Sequence, residues 1–462
     1  MKLSKIKNIH FIGIGGVGMV GIAEMLLNQG FAVSGSDLVE NKNTERLKYL
    51  GAKIFIGHNE KNVRDSDVIV YSTAVTESNP EMSCARSLNK TVIARAEMLS
   101  SLMRGFQSIA VAGSHGKTTT TSLIANIFIK AKLDPTYIIG GRILGQEDKS
   151  ILGSSEYLIV EADESDASFL HLSPEISVIT NVDNDHLDFY ENNIEKLNAT
   201  FHQFLENLPF YGTAIICIDE EKAEKLFNDL ARPKISYGFS RSADYYLKDL
   251  KQVSNFQEFT LVRNSVGKEV RLKLKIAGRH NALNATAAYI VAKQAGINTK
   301  TIKDSLKLFE GVSRRLEFKG DLKISNKIIK LIDDYGHHPT EISATVAAIK
   351  SSHKNKKVNM IFQPHRYSRS SILFDDFIEC LGAVDKVIIL DIYSAGEQNT
   401  QLISSYDFVN SLIKKGKKAF FAKNLKEISK ILEAEVKNDE ILVTQGAGNI
   451  VDISNSLLAM YK

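Results

Sequence analysis

Residues 111 to 121 read Val111-Ala-Gly-Ser-His-Gly-Lys-Thr-Thr-Thr-Thr121, an apolar strand that runs into a glycine turn and then into a helix. Gly113 and Gly116 let backbone N–H groups close around phosphate oxygens, and Lys117 adds a positive charge for the outer phosphates. The usual loop, Gly-x-x-x-x-Gly-Lys-Ser/Thr, has a glycine where Val111 stands, so we expect a shorter loop. The segment predicts ATP binding through Gly113, Ser114, His115, Gly116, Lys117, Thr118 and Thr119.

The composition is that of an ordinary globular protein. The chain has 462 residues, which favours about three domains, with 44% hydrophobic and 24% charged residues. The net charge of +4 is small and the basic residues are dispersed, which argues against a nucleic-acid partner. Three scattered cysteines without CxxC spacing indicate a reducing compartment. Because no long apolar run occurs either, we expect a cytoplasmic protein with no membrane insertion.

A second glycine turn lies near the N-terminus. Gly13-Ile-Gly-Gly-Val-Gly18 follows a predicted strand over residues 8–14 and fits Gly-x-Gly-x-x-Gly, which places a diphosphate on a helix N-terminus. The next predicted strand, over residues 31–35, leads to Asp37, where dinucleotide-binding folds hold a ribose. NAD binding is one interpretation, but any ligand with a diphosphate and a ribose requires the same geometry.

Acidic residues follow two further predicted strands. The strand that begins at Tyr157 leads into Glu161-Ala-Asp-Glu-Ser-Asp166, and the strand over residues 176–182 leads into Asp183-Asn-Asp-His-Leu-Asp188. Carboxylates at strand ends beside a phosphate loop are typical Mg²⁺ ligands. His186 is either a buried structural histidine or, given its acidic neighbours, a ligand of metal or phosphate.

Polar residues also mark the last third of the chain. Four strands predicted there end in polar clusters at residues 333–341, 364–369, 391–397 and 446–449. Ligands bind at the carboxyl edge of α/β sheets, so the clusters predict a second site. Upstream, Asn281 and Asn284 open a predicted helix, where their amides either bind an adenine edge or cap the helix. The pair Arg314-Arg315 either closes over an ATP phosphate or belongs to a linker.

The sequence resembles the Mur ligase family in five segments that follow the family's order. They are His10-Phe-Ile-Gly-Ile-Gly-Gly-Val-Gly-Met19, Glu161-Ala-Asp-Glu-Ser-Asp-Ala-Ser-Phe-Leu170, Gly278-Arg-His-Asn-Ala-Leu-Asn284, residues 333–341 and Phe362-Gln-Pro-His-Arg366. The resemblance covers essentially the whole chain and implies an α/β protein of three domains. These are a Rossmann-like UDP-sugar domain (1–104), a central P-loop ATPase-like domain for ATP and metal (105–312) and a C-terminal Rossmann-like α/β domain for an amino acid (313–462).

Within the family, the segments are most similar to the ligase that joins L-alanine to the lactyl carboxylate of UDP-N-acetylmuramate in peptidoglycan precursor synthesis. The resemblance implies ATP as energy source, an acyl-phosphate intermediate, and Mg²⁺ as cofactor, or Mn²⁺ in its place. We expect a monomer or a weak homodimer. A ligase that attaches a recycled tripeptide to the same UDP-sugar is the alternative, and Tyr335-Gly336 favours alanine. An NAD-dependent enzyme or dinucleotide-binding regulator is a second alternative, which rests on residues 13–37 alone.

The resemblance also implies site residues. The expected catalytic residues are Lys117, Glu161 and His186, and the expected metal ligands are Thr118, Glu161 and His186. Further ATP contacts are expected from Asn281, Asn284, Arg314 and Asp333. The UDP-sugar is expected at Gly15, Gly16, Val17, Gly18, Asp37, Ser72 and Thr73. The amino acid is expected at Tyr335, His337, His365, Arg366 and Arg369. Departures from the family's usual residues occur at Leu316, at Ser394 and at Asp183-Asn184; they leave the expected activity in place and the fine positioning of substrates open.

Overall fold

The computed structural model describes residues 5–72, 74–145, 152–185, 189–191, 193–253, 256–400 and 402–462. These residues form three β-sheets whose strands alternate with helices along most of the chain, which confirms the predicted α/β class. The chain divides into two compact units. The first comprises residues 1–248, 260–270 and 283–306, and the second comprises residues 249–259, 271–282 and 307–462. The domain boundaries expected at 104/105 and 312/313 stay predictions.

The first sheet has five parallel strands. They are β1 (Asn8–Ile12), β2 (Ala32–Asp37), β3 (Lys53–Ile56), β4 (Val68–Tyr71) and β5 (Thr91–Ala94). The helices beside them are α1 (Val17–Asn28), α2 (Lys42–Tyr49), α3 (Pro80–Ser87) and α4 (Arg95–Met103). The strand order is β3-β2-β1-β4-β5, so the chain reverses direction across the sheet at β1, and the first glycine turn follows that strand. A reversal of strand order is where open α/β sheets bind ligands.

The second sheet has nine strands. They are β6 (Gln107–Ala112), β7 (Thr136–Ile138), β8 (Tyr157–Glu161), β9 (Ile176–Ile179), β10 (Thr213–Cys217), β11 (Lys234–Gly238), β12 (Tyr245–Val253), β13 (Phe256–Arg263) and β14 (Lys268–Leu274). The α-helices of this part are α5 (Lys117–Lys130), α6 (Ile194–Glu206), α7 (Glu221–Asp229), α8 (Arg279–Gln294) and α9 (Thr299–Leu308). The order is β14-β13-β12-β11-β10-β9-β6-β8-β7. Strand β6 therefore lies between β8 and β9, whose carboxyl ends carry the two predicted acidic segments.

The third sheet has six strands. They are β15 (Glu317–Ile324), β16 (Lys327–Asp334), β17 (Val358–Phe362), β18 (Lys386–Ile389), β19 (Lys418–Phe421) and β20 (Ile441–Gln445). The helices are α10 (Pro339–Ser352), α11 (Tyr367–Ile372), α12 (Phe374–Leu381), α13 (Ser405–Lys414), α14 (Leu425–Glu435) and α15 (Ile450–Tyr461). The order is β15-β16-β20-β17-β18-β19, and only β15 is antiparallel to its neighbour. Hydrophobic side chains cover both faces of this sheet, as expected of parallel strands flanked by helices.

One hydrophobic core joins the first two sheets. Its buried side chains include Phe11 and Ile22 of the first part and Leu158 and Phe201 of the second. Gly21 of α1 lies against β7, because a Cβ at that position would be only 3.2 Å from side-chain atoms of Ile138. The strand ends that carry the two glycine turns thus belong to one packed unit. Among the helices of the described chain, none is long and apolar enough to cross a membrane.

Candidate functional site

The phosphate loop connects β6 to α5, as predicted. Gly113 and Gly116 have positive φ angles of 127° and 85°, a conformation that favours glycine. Gly116 is the N-cap of α5, and no side-chain hydrogen bond caps this helix within the described chain. The positive end of a helix that lacks such a cap suits an anion. The loop therefore has the geometry expected of a phosphate site.

The segment after β9 holds this loop in place. The His115 N–H donates to Asn181 Oδ1 over 2.9 Å, and Thr180 Oγ1 donates to the His115 carbonyl over 2.6 Å. A Cβ at Gly113 would lie 2.2 Å from Thr180 Oγ1, so only glycine allows this close approach. Asn181 and Thr180 were not among the predicted site residues. The sequence feature that could have identified them as site residues is their position directly after an apolar strand.

Lys117 is held inside the loop by an ion pair. Its Nζ lies 2.7 Å from Glu164 Oε1, 2.7 Å from the Gly113 carbonyl oxygen and 3.2 Å from the Ser114 carbonyl oxygen. Burial alone would lower the pKa of Lys117, but the neighbouring carboxylates outweigh it and raise the pKa, so the ammonium stays charged. Burial raises the pKa of Glu164 to about 7 against the opposing effect of Lys117. Glu164 lies in the predicted acidic segment, in which Glu161 alone was predicted as a site residue.

Two predicted metal ligands lie side by side. Thr118 Oγ1 donates to Glu161 Oε2 over 3.2 Å, and the Gly140 N–H donates to Glu161 Oε1 over 2.7 Å. A hydroxyl and a carboxylate oxygen at this spacing suit a hard cation such as Mg²⁺, which prefers oxygen ligands. The third predicted ligand, His186, lies outside the described residues.

Asp183 supports the loop from the other side. Its carboxylate lies 3.0 Å from His115 Nε2, and its backbone N–H donates to Ser114 Oγ over 2.9 Å. Burial, followed by the charge of Asp183, raises the pKa of the nearby Glu220. The departure from the family pattern at Asp183 thus lies directly against two predicted ATP-binding residues.

The predicted adenine-binding amides lie at the start of α8. Asn284 lies beside the phosphate loop, because a Cβ at Gly116 would be 2.8 Å from its Oδ1. Asn281 Nδ2 donates to the Ala277 carbonyl over 2.6 Å. Both side chains are largely buried. Their role toward adenine stays a prediction.

The first glycine turn is tied to Asp37. The Gly15 N–H donates to Asp37 Oδ2 over 2.8 Å, and Asn43 Nδ2 donates to the Gly15 carbonyl over 2.8 Å. Gly16 is the N-cap of α1 and, like Gly116, receives no side-chain cap in the described chain. Ser72 lies just after β4, and its N–H donates to the Ile12 carbonyl over 3.2 Å. Thr73 and the Val17 side chain lie outside the described residues.

Arg95 is an unpredicted basic residue beside this turn. A Cβ at Gly18 would lie 3.2 Å from Arg95 Cδ and 3.4 Å from its Nε. Burial would raise the pKa of Asp163, but Lys117, hydrogen bonds from Ser165 and the charge of Arg95 together lower it. Arg95 therefore lies near both the first glycine turn and the acidic segment after β8. Its position at the end of a parallel strand was the sequence signal.

In the second compact unit, Arg314 and Asp333 form an ion pair. Arg314 Nε lies 3.3 Å from Asp333 Oδ2, and Arg314 Nη2 donates to the Gly446 carbonyl over 2.6 Å. Burial raises the pKa of Asp333 despite a hydrogen bond from Thr444 and the charge of Arg314. The structure thus brings together two of the predicted ATP-binding residues.

Asp334, the last residue of β16, accepts hydrogen bonds from neighbouring segments through its carboxylate. Its Oδ1 accepts hydrogen bonds from the Gly336 N–H, Thr345 Oγ1 and Gln445 Nε2 over 2.9, 3.1 and 2.7 Å. Its Oδ2 accepts from the Leu316 N–H over 2.8 Å. Leu316, another departure from the family pattern, therefore contributes a backbone N–H that every residue except proline has.

The predicted amino-acid residues form an aromatic cluster at the carboxyl edge of the third sheet. Both Arg314 and Arg315 lie over the Tyr335 ring, at 4.9 and 5.0 Å from its centroid. The His337 ring lies 5.5 Å from Tyr335 and 5.6 Å from His365. Such contacts between guanidinium groups and aromatic rings fix both partners.

His365 stacks on a residue that was not predicted. Its ring lies 5.4 Å from that of Tyr393, with an interplanar angle of 15°. Burial, then the charges of Arg369 and Arg366, lower the pKa of His365 to about 4, so the imidazole is neutral at pH 7. Arg366 itself lies 3.9 Å from Glu397. Tyr393 and Glu397 belong to the predicted polar cluster 391–397, and that membership could have identified them as site residues.

Comparisons with known proteins identify the family of the chain. Three family models match the chain in succession: "Mur ligase family, catalytic domain" over residues 8–107, "Mur ligase middle domain" over 111–292 and "Mur ligase, glutamate ligase domain" over 314–448. The predicted three-domain fold is thereby confirmed.

Solved structures resemble the chain over most of its length. The UDP-N-acetylmuramate-alanine ligase MurC of Thermotoga maritima is 28% identical with a TM-score of 0.83, over 98% of this chain and 99% of that one. The murein peptide ligase of Psychrobacter arcticus 273-4 is 23% identical with a TM-score of 0.73, over 98% of both chains. The UDP-N-acetylmuramate:L-alanyl-gamma-D-glutamyl-meso-diaminopimelate ligase of Neisseria meningitides is 25% identical with a TM-score of 0.60, over 67% of this chain and all of that one.

Proposed function

The chain belongs to the Mur ligase family, and from that premise we propose that it joins L-alanine to the lactyl carboxylate of UDP-N-acetylmuramate with conversion of ATP to ADP and phosphate. The observation that carries the proposal is the phosphate loop with Lys117 inside it and the Thr118–Glu161 oxygen pair beside it. The 28% identity to an alanine ligase over 98% of the chain supports this choice within the family.

The reaction requires activation of the carboxylate. A carboxylate does not condense with an amine in water, because its oxygens are poor leaving groups and its negative charge repels a nucleophile. Transfer of the ATP γ-phosphoryl group to a carboxylate oxygen yields an acyl phosphate and ADP. The neutral amine of alanine then attacks the carbonyl carbon, and inorganic phosphate leaves from the tetrahedral intermediate. Phosphoryl transfer of this kind depends mainly on positioning and on neutralisation of charge.

The loop residues supply that neutralisation. The charged Lys117 would engage the outer phosphates of a nucleotide, and the N-terminus of α5 would face the same anion. Thr118 and Glu161 would hold Mg²⁺, or Mn²⁺ in its place, and a bound cation of this kind neutralises phosphate charge. His186 stays a proposed further ligand.

The other two substrates are assigned to the remaining strand ends. The turn after β1 and Asp37 would hold the UDP part, with the positive end of α1 toward the diphosphate. Tyr335, His337 and the neutral His365 would surround alanine, and Arg366 and Arg369 suit its carboxylate because guanidinium groups bind carboxylates in a bidentate manner. We propose that these steps take place in the cytoplasm.

A tripeptide acceptor is the alternative, since one similar structure, 25% identical, is named as a UDP-N-acetylmuramate:L-alanyl-gamma-D-glutamyl-meso-diaminopimelate ligase. Phosphate release from ATP, measured with UDP-N-acetylmuramate and each amino acid or the tripeptide in turn, separates the two. We expect release with alanine and little with the tripeptide. The reverse preference would exchange the proposed function for its alternative. Titration with NADH, for which we expect no saturable binding, tests the dinucleotide interpretation of residues 13–37.

Lys117→Ala tests the role of the phosphate loop. We expect turnover to fall by a factor of hundreds or more, because a charge that stabilises the transferred phosphoryl group is lost. Binding of the UDP-sugar should change little. Lys130→Ala, at the exposed far end of the same helix, is the matched control and should retain activity. Near-normal phosphate release by the Lys117 variant would contradict the assignment.

A further inference from the structure

The ammonium group of Lys117 has three protons, and three protein oxygens lie within hydrogen-bond distance of its Nζ. Two are carbonyl oxygens of the loop itself, on Gly113 and Ser114, and the third is Glu164 Oε1 at 2.7 Å. A lysine that binds the outer phosphates of a nucleotide must give up at least one of these bonds. The bond to Glu164 is the only one of the three to a charged partner, so its loss changes the electrostatic balance most.

Glu164 is fixed where it stands. Its backbone carbonyl accepts hydrogen bonds from the Tyr190 hydroxyl and, over 3.1 Å, from the Ala167 N–H. Its side chain is 1% exposed, and Oε2 has no hydrogen-bond partner within the described chain. The carboxylate therefore cannot follow Lys117 to a new position or turn into water when the lysine moves.

We propose that Glu164 is a positioning residue that holds Lys117 in the nucleotide-free protein and competes with the outer phosphates of ATP for its ammonium group. This inference rests on the proposed use of ATP. When Lys117 engages phosphate, the Glu164 carboxylate loses its cation while it remains buried next to Asp163. The cost of leaving that charge unpaired, or of taking up a proton to neutralise it, subtracts from nucleotide affinity. Glu164 thereby keeps nucleotide binding weak enough for ADP to leave after each turnover.

The test is titration of the full chain with the non-hydrolysable analogue adenosine 5′-(β,γ-imido)triphosphate in an isothermal calorimeter. Glu164→Gln keeps the shape of the side chain and removes its charge, so the dissociation constant should fall by about tenfold. Glu164→Met also lacks the charge, should tighten binding as well, and replaces the first variant if that one does not fold. Asp166→Asn removes one negative charge two residues further on and should leave the dissociation constant unchanged.

Steady-state kinetics give a second readout. The KM for ATP should fall in Glu164→Gln while kcat does not rise in proportion, whereas mere loss of folded protein would lower the apparent kcat and leave the KM for ATP unchanged. Folded neutral variants that bind the analogue as weakly as the wild type, or more weakly, would overturn the proposal. Absence of analogue binding by the wild type would instead overturn the proposed function.

Discussion

Gly113→Ala is the substitution whose effect follows most directly from the geometry of the phosphate loop. The new Cβ would lie 2.2 Å from Thr180 Oγ1 and 3.0 Å from both the Thr180 nitrogen and the Asn181 carbonyl oxygen. Two of these three atoms belong to the backbone and cannot rotate away. The φ angle of 127° adds strain, because side chains rarely adopt such a conformation.

The cost has three parts. Positive φ at a residue with a Cβ costs about 1–2 kcal/mol. The collision costs about 1–3 kcal/mol, as for other overpacked sites. Displacement of Thr180 breaks its hydrogen bond to the His115 carbonyl, which is worth about 1 kcal/mol. The free energy of unfolding should therefore fall by about 3–6 kcal/mol, and the loop should lose its affinity for nucleotide.

Urea denaturation followed by circular dichroism measures the change, with Gly51→Ala as the control. Gly51 has a similar φ of 103°, but a Cβ there meets nothing within 4 Å, so only the conformational strain applies. Thr180→Ala in the Gly113→Ala background removes the nearest colliding atom and should recover about 1 kcal/mol relative to additivity. Equal losses in Gly113→Ala and Gly51→Ala would refute the reasoning, as would strict additivity with Thr180→Ala.

Two further substitutions test the proposed metal and amino-acid sites. Glu161→Gln should raise the Mg²⁺ concentration required for half-maximal activity by about tenfold or more, because a neutral amide is a weaker ligand. The control is Glu156→Gln, an exposed residue directly before the start of β8. An unchanged Mg²⁺ requirement in the Glu161 variant would place Glu161 outside the metal site. Arg366→Ala should raise the KM for alanine by about tenfold or more through loss of a carboxylate partner and leave the KM for ATP nearly unchanged. An Arg366 variant impaired mainly in ATP binding would show that the residue is misassigned.

Local sequence signals predicted much of the fold. Strand β1, an apolar run that leads into a glycine turn, was expected over residues 8–14 and spans Asn8–Ile12. Strand β6 likewise ends at Ala112, directly before the predicted turn at Gly113. Strand β15 was not predicted. Half of the residues in its sequence, Glu317-Phe-Lys-Gly-Asp-Leu-Lys-Ile324, are charged, as suits an edge strand with one antiparallel neighbour. A polar edge strand lacks the continuous apolar pattern that marks a buried one.

The chemistry-bearing residues were easier to predict than their partners. Lys117 and Thr118 follow from the loop pattern, but four carboxylates in ten residues do not reveal which one turns back to Lys117. Likewise, the stacking of His365 on Tyr393 joins residues from the ends of adjacent strands β17 and β18, and only the sheet order makes them neighbours. Pairings across strands depend on tertiary structure, which no short motif encodes.

The hydrophobic core shared by the first two sheets limits how this protein can be divided into fragments or joined with segments of a relative. A fragment that ended near residue 104 would expose side chains of α1 and α4 that the intact chain buries in that core, so it should aggregate rather than fold. Exchange of the N-terminal segment with that of a relative would fail for the same reason unless the facing surface, including Ile138 opposite Gly21, were exchanged with it. Evolutionary change around the first glycine turn, the proposed sugar-nucleotide site, is thus constrained by packing against the neighbouring sheet.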